Sequence, residues 1–190
     1  LGGGSVVDAH ARRHRRMHQS VLERLVIMEQ GSDREVLLKS VEASEPSEFR
    51  ALTNRANLEP ETALSELETM TSEGLVIALG RQPIGPGVLI YSAVGWKSVA
   101  DKTRKALNAY HRQFRLRNGA PKEELRSRLG LTPQVFNHVL PRLRDDGVVE
   151  ETGALVRLPE HRPQMSIAQQ QAAQEYLSLL ESSPYSPPTD

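Results

Sequence analysis

His10, His14 and His18 stand four residues apart, a spacing that on a helix stacks three imidazoles on one face, where a divalent metal could be held. Arg12, Arg13, Arg15 and Arg16 surround them and would repel a cation, and only Asp8 is near enough to act as a supporting carboxylate. The run from Ala9 to His18 therefore reads first as a solvated basic linker, with phosphate contact as the alternative and metal binding behind both. A second concentration of charge includes Arg112, Arg115, Arg117, Lys122, Arg126, Arg128, Arg142 and Arg144, with Gln134, Asn137 and His138 interspersed. Such groups suit a polyanion, because guanidinium and ammonium groups neutralise phosphates whatever the sequence they carry. On charge alone they would equally pair with the acidic first unit, residues 31–95. Catalytic patterns are missing: no G-x-x-x-x-G-K-[ST], no G-x-S-x-G and no H-E-x-x-H. Gly2-Gly3-Gly4 reads as a tight bend before a short strand at Ser5-Val6-Val7. With no cysteine, thiol chemistry, Cys-based zinc sites and disulfides are out of reach, so no enzyme, cofactor or metal is expected of these residues.

The 190 residues carry 24 Lys+Arg against 24 Asp+Glu, but the zero sum is a cancellation. Residues 1–30 run +2, 31–95 run −5, 96–165 run +6 and 166–190 run −3. An acidic block beside a basic one predicts two units with different partners, or two that lean on each other. No apolar run approaches the ~18 residues that a membrane span needs, and no signal peptide opens the chain. A start at Leu1 and a last helix with nothing after it to pack on predict a piece of something longer.

The elements that position these charges follow from an internal repeat. Shifted by 73, Leu52–Val76 lies on Leu125–Val149 without a gap. The identities are Leu52/Leu125, Arg55/Arg128, Leu58/Leu131, Pro60/Pro133, Leu67/Leu140, Gly74/Gly147 and Val76/Val149. Each copy predicts a short helix (about 46–56; about 121–129), a turn, and a second helix opened by Pro60 or Pro133 at its first position and stopped by Gly74 or Gly147. Strands at Leu75–Leu79 and Val88–Tyr91 follow in the first copy. In the second they are Val148–Glu150 and Ala154–Leu158, joined through Thr152-Gly153. A preceding helix completes each unit, near 33–43 and 98–114, and Pro141 should kink the second unit's second helix. Helix, turn, helix and hairpin make a winged helix, so the expected class is α+β, mainly α, with tandem winged-helix domains. The division is 1–16 as a basic linker, 17–95 as a connector helix (Met17–Gln30) with unit 1, 96–165 as unit 2, and 166–190 as the first helix of a third unit.

A winged helix usually places its second helix in a groove. In unit 1 that helix holds Glu59, Glu61, Glu66, Glu68 and Glu73 and no Lys or Arg, a poor match for phosphates. Unit 2 offers Arg142 and Arg144 there. Phe114, Phe136 and Leu140 are expected in the core rather than as stacking platforms for bases.

Gly2-Gly3-Gly4-Ser5-Val6-Val7-Asp8-Ala9-His10-Ala11-Arg12-Arg13-His14-Arg15-Arg16 resembles the segment that ends the last β-barrel domain of bacterial selenocysteine-specific elongation factors and leads to their C-terminal winged helices. Arg117–Gly153, above all Gly119-Ala120-Pro121-Lys122-Glu123-Glu124-Leu125 and Gly147-Val148-Val149, is similar to their second winged helix. The resemblance implies a cytoplasmic, monomeric translation factor whose other half binds GTP, Mg and selenocysteyl-tRNA, and whose end binds a selenocysteine-insertion hairpin in mRNA on the ribosome. It implies that this chain is a spacer between the two, with possible RNA contact through unit 2. No hairpin-reading residue carries over, so Arg12, Arg13, Arg15, Arg16, Arg112, Arg115, Arg117, Lys122, Arg126, Arg142 and Arg144 are candidates on charge alone. A tandem winged-helix DNA-binding transcription regulator and a protein-binding adaptor are the competing readings.

Overall fold

The computed structural model describes residues 31–80 and 83–182. The glycine run, the strand at 5–7, the histidine and arginine run with Arg12, Arg13, Arg15 and Arg16, the helix expected at 17–30 and the last eight residues lie outside these.

The two copies of the repeat fold residue for residue alike. In the first, α1 (Asp33–Glu42) is followed by β1 (Ser47–Glu48), α2 (Phe49–Ala56), α3 (Pro60–Ser72), β2 (Val76–Leu79) and β3 (Leu89–Ser92). In the second, α4 (Ala93–Gln113) precedes β4 (Ala120–Pro121), α5 (Lys122–Leu129), α6 (Pro133–Asp145), β5 (Glu150–Thr152) and β6 (Leu155–Arg157). A shift of 73 carries β1 onto β4, α2 onto α5 and α3 onto α6, end for end. Both sheets are antiparallel with the last strand in the middle, in the orders β1-β3-β2 and β4-β6-β5. These are two winged helices, mainly helical with small sheets. A further helix, α7 (Ile167–Ser182), follows and buries none of its residues.

The shared residues explain the shared geometry. Pro60 and Pro133 open their helices, and Thr132 caps α6 by accepting the Val135 N–H. Gly74 and Gly147 end them at φ +73 and +68, a backbone conformation costly for residues with a Cβ. Leu52 and Leu125, Leu67 and Leu140, Met70 and Leu143, and Val76 and Val149 are buried in corresponding places.

Some boundaries differ from the sequence expectation. Residue 46 is a bend, and 47, 48 and 121 are strand rather than helix: Ser47 and Glu48 pair with Ile90 and Leu89, and Ala120 and Pro121 pair with Val156 and Leu155. Pairing with the middle strand of each sheet holds these residues extended, so each helix starts late. The second unit's first strand begins at Glu150, because Val148 and Val149 are buried in the core ahead of the ladder. Helix α4 starts at Ala93, five residues before the expected start, because Ser92 caps it by accepting the Gly95 N–H. Gly95 and Trp96 therefore lie inside a helix. Helix α6 runs on through Pro141.

The first sheet is apolar on both faces. Side chains alternate along a strand: Val76, Ala78 and Ile90 join the first core, whereas Ile77, Leu79, Leu89 and Tyr91 join the second. The second core continues through Trp96, Leu107 and Tyr110 to Phe136, Leu140 and Leu143. Trp96 meets Tyr91 edge to face, with centroids 5.7 Å apart, and donates its indole N–H to Asp146 Oδ2 at 2.7 Å. The two winged helices thus share one apolar interface.

Gly119 marks the closest backbone approach in the second sheet. A Cβ there would sit 2.8 Å from the Val156 carbonyl oxygen and 3.1 Å from its carbon. Gly119→Ala must push β4 away from β6, and we expect it to destabilise the chain by about 1–3 kcal/mol. Urea unfolding measures this, and an unchanged midpoint would refute it.

Candidate nucleic-acid interface

The candidate cations of the second unit separate into two groups. On and around α5 and α6 they are engaged by acids of the same unit. Lys122 meets Glu151 at 2.6 Å and Arg126 meets Glu123 at 2.8 Å. Arg142 meets Asp146 at 2.8 Å, while Arg144 reaches Asp145 at 3.0 Å and Glu151 at 3.8 Å. Arg126 also donates to the Leu131 carbonyl, and Arg128 pairs with Glu124. These cations meet acids of the second unit itself and not, as charge alone allowed, those of the acidic first unit. Their partners stand three or four residues away on the same helix or on the adjacent wing. In the first unit, Arg34 pairs with Glu73 at the end of α3, and Glu59, Glu61 and Glu68 stay exposed.

At the C-terminal end of α4 the pattern reverses. Arg112 and Arg115 are exposed. Arg117 lays its guanidinium over the Phe114 ring, 4.1 Å from the centroid, and donates to the Tyr110 hydroxyl at 2.8 Å. Neither contact neutralises its charge. The segment that leaves β6 returns across this end of the helix and brings Arg162, whose Nη1 donates to the carbonyls of Pro159 and His161 at 2.7 and 2.9 Å. Arg112, Arg115, Arg117, His161 and Arg162 line one open groove there. Sequence reasoning missed Arg162 and His161: Arg162 was counted only as one charge of the +6 segment and His161 not at all, and nothing local signals that they fold back on α4.

Beneath the groove, His111 is only 7% exposed. Its ring stacks on His161 with centroids 3.6 Å apart and planes within 7°. Its Nε2 accepts the Leu158 N–H at 3.3 Å, while a nitrogen of His161 lies 2.9 Å from the Arg117 carbonyl. The acceptor role puts the proton of the neutral His111 ring on Nδ1, which finds no partner among the described residues. Burial, and next the His161 ring, push the His111 pKa down to about 4, against an opposing pull from Glu160.

Phe136 and Leu140 are buried in the core, and Phe114 packs against it from the edge. Among the described residues no group of three or more His, Asp or Glu side chains could hold a metal, and no helix is long and apolar enough to cross a membrane.

Residues 104–158 match the family model described as elongation factor SelB, winged helix. No curated protein matches the sequence. Among solved structures, the chain resembles the mRNA-binding domain of elongation factor SelB from E. coli in complex with SECIS RNA. The TM-score is 0.51 at 14% identity, over 67% of this chain and 97% of that one. At that identity the likeness is one of fold.

Proposed function

From the match of residues 104–158 to the winged-helix domain of elongation factor SelB, we propose that the chain is part of the C-terminal region of a selenocysteine-specific elongation factor. It serves as a two-unit spacer, and its second unit touches RNA. The family match over the second unit carries this reading. Two observations support it: the shared apolar interface gives a spacer its stiffness, and the second unit keeps exposed cations at the end of α4. The neighbouring SelB domain, solved with SECIS RNA, is a precedent for this fold meeting an mRNA hairpin.

In this reading the whole protein works in the cytoplasm as a monomer. GTP, Mg and selenocysteyl-tRNA are handled by domains other than these, and the ribosome and the mRNA hairpin are reached through the winged helices. The DNA-regulator reading is weaker, since α3 has no Lys or Arg and the arginines of α6 are already paired.

Binding of the chain to a labelled selenocysteine-insertion hairpin and to a labelled DNA duplex, titrated across salt, tests the proposal. Expected is measurable RNA affinity that falls as salt rises and exceeds the affinity for DNA. Tighter DNA binding at equal salt, or no RNA binding at all, would overturn it.

A further inference from the structure

We propose that the groove at the C-terminal end of α4 is a phosphodiester site, holding the backbone of an RNA strand against Arg112, Arg115, Arg117 and Arg162. The inference rests on the RNA-binding reading above and locates it away from α6, the helix that a winged helix usually presents.

Charge bookkeeping points there. For an RNA strand to use Lys122, Arg126, Arg142 or Arg144, it must displace carboxylates that already hold them at 2.6 to 3.0 Å. At the groove no such exchange is needed. Arg112 and Arg115 meet no acid or acceptor among the described residues, and Arg117 and Arg162 spend their donors on neutral groups. The terminal carbonyls of α4 oppose an anion with about half an elementary charge, and Glu160 stands on the returning segment, but four full positive charges outweigh both.

The geometry favours phosphate over a diffuse counter-ion cloud. Arg117 is fixed flat on Phe114 by its bond to Tyr110, and Arg162 is fixed by two carbonyls of its own segment. Each is oriented before a ligand arrives, and a planar guanidinium fork matches the two unesterified oxygens of a phosphodiester. Arg112 and Arg115 carry no such restraint and can follow the neighbouring phosphates. The site asks for a backbone and does not read bases.

The test compares two sets of exposed arginines in the whole chain. One variant combines Arg112→Gln, Arg115→Gln and Arg162→Gln; the other combines Arg142→Gln and Arg144→Gln. Both are titrated by fluorescence anisotropy with a labelled hairpin RNA and a labelled unstructured oligoadenylate, after melting curves show that each folds. The triple variant should lose roughly tenfold or more in affinity and reduce the slope of log K against log salt by about two, at ~0.7–0.9 per phosphate contact. The α6 variant should leave that slope unchanged. If the slope falls in the α6 variant and not in the triple one, the groove is overturned while RNA binding stands. If the wild-type chain shows no salt-dependent RNA binding, both readings fall. If polyglutamate displaces the RNA at equal charge concentration, an acidic protein rather than a phosphodiester is the ligand and the assignment is overturned.

Discussion

Replacing Trp96 by Ala should lower the stability of the chain by about 3–5 kcal/mol and split its unfolding into two steps. Trp96 is 7% exposed. It stands on the first turn of α4, where one edge of the indole meets Tyr91 of the first sheet and the N–H reaches Asp146 at the end of α6. Removing it opens a cavity in the second core where Tyr91 of the first sheet meets the end of α6. Two units that share one apolar interface unfold together, and two that have lost it unfold by their own stabilities. The Tyr91 hydroxyl is buried with no partner among the described residues, and its pKa is raised to about 12, by burial first and the Glu45 charge second. Trp96→Phe keeps most of the ring contact and loses only the N–H, so its cost should be closer to 1 kcal/mol. Calorimetry on the three chains decides: a single transition that survives in the Ala variant would show that the units are not coupled through this residue.

The repeat made most of the fold legible. Proline at the first helical position and glycine beyond the last mark α3 and α6, and the apolar spacing marks their buried faces. Two-residue strands such as Ser47–Glu48 and Ala120–Pro121 were not legible, because they are too short to show a period and exist only by pairing with β3 and β6. Gly95 suggested a break where α4 is continuous. A Cβ there would meet the Glu45 carboxylate, which accepts the Ser92 N–H and would have to swing aside. The double role of the first sheet was written in Val76–Leu79 and Leu89–Tyr91, whose unbroken apolar character belongs to a strand covered on both faces.

The candidate site was legible in its charges and not in their pairing. Arg126 with Glu123, Arg128 with Glu124 and Arg142 with Asp146 sit three or four apart on a helix and were readable as pairs. Lys122 with Glu151 is made by the wing folding back. Arg162 reaches the end of α4 in the same way, across a separation that no local pattern reports.

The fold-back also makes stability depend on pH. Above pH 6.5 His111 is neutral in both the folded and the unfolded chain, and its contribution is constant. Below that the unfolded chain takes up a proton while the folded one, with its pKa lowered to about 4, does not. The unfolded state then binds more protons, so stability falls as pH falls through this window, by about 2–3 kcal/mol at pH 4. The cause lies in what faces the ring. Protonation would put a charge in a buried site against His161, with only Glu160 in its favour. It would also turn Nε2 from an acceptor into a donor facing the Leu158 N–H, which loses its partner. His111→Gln keeps an acceptor near the Nε2 position and cannot titrate. Urea unfolding of both chains at pH 7, 5.5 and 4.5 isolates the effect, since the carboxylates titrate alike in each. The wild-type chain should lose stability more steeply than the variant between pH 6.5 and 4. Parallel curves would mean that the ring is protonated as easily in the folded chain as in the unfolded one, and that the clasp it forms with His161 and Leu158 opens at little cost.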